Sequence, residues 1–183
     1  MLSFFRLSRK KKEKLEITIS KYVMSINDVI DSGFIEIKEF INENNNLDIS
    51  PEIKDDDIRW FRIIIILGNI SELKNYFEES QVSKMKDMII EDSLSYFNRN
   101  SSVTIDHFID YDSFFNQLIS IHDSSAKAMA YALFEKYEIN KCQVDLFRRK
   151  NEPNPVFIHE LKNLLSHFLW NWSDYLKKFK VSI

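Results

Sequence analysis

Apolar residues recur along this chain at intervals of three and four. Leu15, Ile19, Tyr22, Val23, Ile26, Val29 and Ile30 trace one helical face. That spacing predicts a first helix from residue 15, with Gly33 as its stop. Phe34, Ile37, Phe40 and Ile41 predict a short helical piece, and the polar run "NENNNLDIS" a loop. Ser50-Pro51 then reads as a helix start, an N-cap followed by a proline whose missing N–H costs nothing in the first turn. Glu52, Asp55, Asp56 and Asp57 suit the dipole at that end. The run "IRWFRIIIILGN" continues it. Four consecutive isoleucines also fit a buried strand, but the start signal and Gly68 bracket a helical length. The prediction is a helix apolar on all sides, central to the fold.

The second half reads the same way. Ser71 opens a helix with Leu73, Tyr76 and Phe77, and Val82, Met85, Met88 and Ile89 mark another. Residues 104–121 form a further helix with a candidate break at Asp112. Residues 125–137 are Ala-rich and strongly helical, and "RRKNEPNP" is a loop. The last predicted helix spans residues 155–180. Leu161, Leu165, Phe168, Trp172, Leu176 and Phe179 fall on one narrow arc of its wheel. The expected fold is an all-α, single-domain bundle of about seven or eight helices with a long C-terminal helix. Residues 1–14 form a basic segment outside it, free to be flexible, and residues 15–183 the helical domain.

Composition narrows the class. The 183 residues include only two Gly and three Pro, against usual fractions of about 7% and 5%. A β protein needs such residues at its turns, and a nucleotide-binding α/β protein needs glycines where backbone meets phosphate. No internal repeat suggests a solenoid. The lone Cys142 has no partner for an internal disulfide and reads as a small buried apolar residue.

Charge is uneven. Six cations and Glu13 share residues 1–14, while the acidic remainder disfavours nucleic acid and steers toward a basic partner. The longest apolar run, residues 63–67, is far short of the roughly 20 residues that cross a bilayer. At the start, apolar residues precede the cations, the reverse of a signal peptide. The expected location is cytoplasmic, with peripheral membrane contact as an option.

Candidate chemistry is sparse. His159-Glu160 begins like H-E-x-x-H, but Asn163 stands where the second histidine belongs and His167 lies out of phase. Asp55, Asp56 and Asp57, and likewise Asp106, Asp110 and Asp112, lack the glycine and closing Glu of a calcium loop. There is no G-x-S-x-G elbow, phosphate-binding loop or cysteine pair. The expectation is therefore no metal and no cofactor, and a binding protein in preference to an enzyme.

Two features point to contact. On the wheel of the predicted last helix, Trp170 lies opposite the core stripe, with His159, Asn163, Ser166 and Lys177 on its side. A tryptophan on a polar face is either an interface anchor or packed beneath another segment. The other feature is the opening stretch, where Phe4 and Phe5 precede Arg6, Arg9, Lys10, Lys11, Lys12 and Lys14. The aromatics suit a headgroup layer and the cations anionic lipid. The competing readings are a solvated helix start or an arm for an acidic macromolecule.

The leading expectation is a non-enzymatic helical domain that binds another protein, a profile shared by adaptors, regulators and toxin-neutralising immunity proteins. The alternatives are a peripheral membrane protein using the basic aromatic N-terminus, and an enzyme or small-ligand domain with its site in a cavity between helices.

Overall fold

The structure, a computed structural model, describes residues 10–97 and 103–182. Among them are eight α-helices and one two-stranded sheet, so the all-α expectation holds. A short strand β1 (Lys11–Lys14) leads into α1 (Leu15–Asn42). Gly33 does not stop this helix. The buried positions Leu15, Ile19, Tyr22, Val23, Ile26, Ile30, Phe34, Ile37 and Ile41 form one unbroken stripe through it. Gly33 is instead a point of close approach: a Cβ there would lie 2.6 Å from the ring of Phe168.

The helix expected at Ser50-Pro51 starts later. After a single 3₁₀ turn at Asp55–Asp57 comes α2 (Ile58–Glu72). The Asn42 side chain pins the preceding segment outside a helix, its amide donating to the Ile53 carbonyl and its oxygen accepting from the Ile53 N–H, both at 2.9 Å. Ile53 is thereby buried. The isoleucine run is helical as expected, and Phe61, Ile63–Ile66 and Leu67 are all buried.

Next come α3 (Glu79–Phe97) and α4 (Ile105–His122). Asp112 does not interrupt α4; it accepts from Lys86 on α3 at 2.7 Å. The alanine-rich α5 (Ser125–Lys136) packs against α2, α4 and the later α7. Buried Ala126, Ala128, Ala130 and Ala132 let these neighbours come close. Gly68 on α2 serves the same contact, since a Cβ there would lie 2.3 Å from the Met129 sulfur.

A short α6 (Asp145–Lys150) precedes α7 (Pro155–Ser166), which Asn154 caps by accepting from the Val156 N–H. The long C-terminal helix does not form. The chain turns at residues 167–171, resumes as α8 (Trp172–Lys178) and ends in β2 (Phe179–Ser182). The cause is buried Asn69 on α2. Its amide donates to the Phe168 carbonyl at 2.9 Å, and its oxygen accepts from the Trp170 N–H at 2.7 Å. Those backbone groups would otherwise bond within the helix. Asn171 then caps α8 by accepting from the Asp174 N–H.

Strands β1 and β2 pair in parallel, with Lys11 opposite Phe179, Lys12 opposite Lys180, Glu13 opposite Val181 and Lys14 opposite Ser182. Residues 11–14, expected to lie outside the helical domain, are thus paired with the end of the chain.

Candidate functional site

The β1–β2 pair gathers the two basic segments of the chain. Lys10, Lys11, Lys12 and Lys14 arrive from one end of the sequence, and Lys177, Lys178 and Lys180 from the other; all are exposed. Alternation along the strands sorts the side chains by face. Glu13, Phe179 and Val181 are half-buried, while Lys12, Lys14, Lys180 and Ser182 stand exposed between them. Lys12 and Lys180 are direct cross-strand partners. Like charges so placed repel, so the pairing must be held from below.

Glu13 is the centre of that support. It pairs with Lys21, accepts from buried Thr18 at 3.1 Å and accepts from the Tyr175 hydroxyl. Burial opposes ionisation of Glu13, but Lys21, Tyr175 and Thr18 outweigh it and hold the carboxyl below its ordinary range. The reciprocal effect appears at Tyr175, whose hydroxyl is pushed up to about 12 by burial and by Glu13. Tyr175 also stacks on Phe179 with centroids 4.8 Å apart, and the Lys21 ammonium lies 5.3 Å from the Phe179 ring.

Beneath this lies an aromatic cluster. Trp172 is fully buried, stacks on Tyr22 at 5.4 Å and meets Phe77 edge-on at 5.2 Å. Trp170 is half-buried and meets Tyr22 edge-on at 5.7 Å. The Tyr22 hydroxyl and both indole nitrogens are buried without a hydrogen-bond partner among the described residues.

The five-residue patch expected around Trp170 does not form as the wheel drew it, because the turn at residues 167–171 breaks that helix. Trp170 faces the aromatic cluster. His159, Asn163 and Ser166 are exposed on α7, where the Asn163 amide meets His159 Nε2 at 3.1 Å. Lys177 is exposed on α8 and pairs with Asp174. Tertiary structure instead brings Lys180, just beyond Lys177, beside Lys12 across the paired strands. Phe4, Phe5, Arg6 and Arg9 lie outside the described residues. Sequence reading missed Glu13, Tyr175 and Asn171. The Asn171-x-x-Asp174 spacing, a helix-start signature, was the available signal.

The other reactive side chains have local roles. His107 bonds the Thr104 N–H and hydroxyl at the start of α4. His122 stacks on Tyr131 at 3.9 Å. Burial, with Glu138, pushes the Cys142 thiol up, away from a reactive thiolate. Among the described residues, no group of three or more His, Cys, Asp or Glu side chains is placed to hold a metal ion, and no helix is long and apolar enough to cross a membrane.

Several concavities lie elsewhere, and two of them involve the later helices. One, of about 610 Å³, separates α3 from α4 and is lined by Ile90, Leu94, Ile105, Phe108 and Ile109, with the Lys86–Asp112 ion pair. The other, of about 450 Å³, lies between α5 and α7. Comparison with protein-family models, with curated proteins and with solved structures finds no match.

Proposed function

We propose that this chain is a non-enzymatic helical docking module whose basic end binds an anionic membrane surface. The observation that carries the reading is the parallel pairing that sets Lys12 against Lys180, with Lys14 and Ser182 beside them, on an exposed sheet face. Holding these ammonium groups together costs stability, and an anionic surface removes the cost. Each cation near such a surface contributes about 1 kcal/mol. The sequence before β1 supplies Leu2, Phe4 and Phe5 beside Arg6 and Arg9, the pairing of apolar and cationic residues that a headgroup layer accepts. The rest of the molecule is acidic, so it is repelled by that surface and the basic end is oriented toward it.

Co-sedimentation with vesicles tests the reading. The intact chain is expected to pellet with phosphatidylserine-containing vesicles at low salt and to stay in solution with neutral ones. Lys180→Glu puts opposite charges across the strands, so it keeps the fold while weakening pelleting at least threefold. A Lys180→Glu chain that pellets as well as the parent overturns the proposal. So does failure of the parent to pellet at all. Capture of an acidic polypeptide by the same face, without vesicle binding, would transfer the role to a protein partner.

A further inference from the structure

We infer that the cleft between α5 and α7 is a binding site for a small phosphorylated molecule, a phosphate monoester carrying an apolar or aromatic group. The cleft is formed by Ser124, Lys127 and Tyr131 on one side and by Ile158, His159 and Lys162 on the other, with Pro153 and Pro155 closing one end. Its volume of about 450 Å³ is within the range of small-molecule sites.

Charge sets this cleft apart from the acidic body of the molecule, as it does the basic sheet face. The molecule carries 28 carboxylates against 25 lysines and arginines, yet no carboxylate lines the cleft. Lys127 and Lys162 are both half-buried, and neither is ion-paired among the described residues. Among other half-buried lysines, Lys86 pairs with Asp112 and Lys38 with Asp55, whereas Lys136 lies over the Trp60 ring and Lys127 itself 5.9 Å from the Tyr131 ring. Two half-buried lysines lining one cleft with no carboxylate between them leave a positive site that an anion can complete through charge-assisted hydrogen bonds. Glu152 is close enough to act on the Tyr131 hydroxyl, but it is exposed and does not line the cleft.

The remaining lining fits the other half of such a ligand. Tyr131 presents an aromatic ring stiffened by its stack on His122, and Pro153, Pro155 and Ile158 supply apolar wall. His159, with Nε2 held by Asn163, is a third group able to donate to phosphate oxygens once protonated. The α5 N-terminus opens onto the same cleft, where its dipole adds to the positive field.

Phenyl phosphate and inorganic phosphate are the probes, followed by NMR shifts and calorimetry on the full chain. Phenyl phosphate is expected to saturate, to bind at least fivefold more tightly than inorganic phosphate, and to shift the His159 ring resonances. Lys127→Gln with Lys162→Gln is expected to weaken it at least tenfold. Both lysines are only half-buried, and unchanged circular dichroism would establish that the double variant is folded. Binding unaffected by the double variant, or no saturable binding by the parent, overturns the assignment. The basic sheet face is untouched by these substitutions, so vesicle binding should persist in the double variant, separating the two proposals.

Discussion

Glu13 shows how one side chain can hold two ends of a chain together. It is bonded to α1 through Lys21 and Thr18 and to α8 through Tyr175, so the β1–β2 pair depends on its charge. Its folded carboxyl is held below its ordinary range. It therefore stabilises the fold above the unfolded value near 4.5, and that contribution is lost as pH falls through the folded value. Glu13→Gln should cost on the order of 1 kcal/mol near neutral pH and should remove part of the acid sensitivity below about pH 4.5. Thermal melts between pH 3 and 7 check this; parallel curves for parent and variant would contradict it. Tyr22 gives the opposite case. Its hydroxyl is buried and has no partner among the described residues, so Tyr22→Phe removes an unsatisfied donor and should leave stability unchanged or raise it by up to about 1 kcal/mol. Denaturant unfolding measures this, and a loss beyond 1 kcal/mol would mean the hydroxyl is used.

At the scale of elements, the two glycines change meaning. Sequence reading takes Gly33 and Gly68 as helix stops, yet both lie inside helices, at crossings with Phe168 and Met129. Replacing glycine by alanine within a helix usually gains about 1 kcal/mol. Here the new methyl of Gly68→Ala would overlap a sulfur in a fully buried side chain. The expected net effect is a loss of about 1–3 kcal/mol, visible as a lower Tm. Met129→Ala in the same chain should show non-additive coupling. A Gly68→Ala variant as stable as the parent would mean that α2 and α5 are looser than described. The broken last helix is the other element-scale lesson. Its apolar stripe is real as far as Trp172: Leu161, Leu165, Phe168 and Trp172 are all buried. The stripe therefore continues through a turn that the wheel could not display.

The whole molecule separates its charge. Residues 1–14 hold six cations against Glu13, while the rest of the chain holds more carboxylates than cations. Folding sets Lys180 of the C-terminal strand beside Lys12 at the basic end, with the exposed Lys178 just before that strand. Exposed charges of this kind are screened with a Debye length of about 8 Å at physiological ionic strength. Raising salt from 0.05 to about 0.5 M should therefore abolish pelleting with anionic vesicles, while the Tm changes little because the core is apolar. Salt-independent pelleting would point to apolar insertion instead.

Sequence alone determined the helical class, the buried isoleucine helix, the alanine-rich packing helix and the uneven charge. Each is written in local spacing or composition, which hydrophobic burial and backbone sterics read over a few residues at a time. Only tertiary structure decided where α1 ends, where the last helix breaks and which lysines stand together. Those outcomes rest on partners far away in the chain: Asn69 reaching residues 168 and 170, Phe168 lying over Gly33, and Glu13 meeting Tyr175. A side-chain amide that takes the backbone's own hydrogen bonds leaves no periodic trace, because periodicity records which face is buried and not what the buried groups bind.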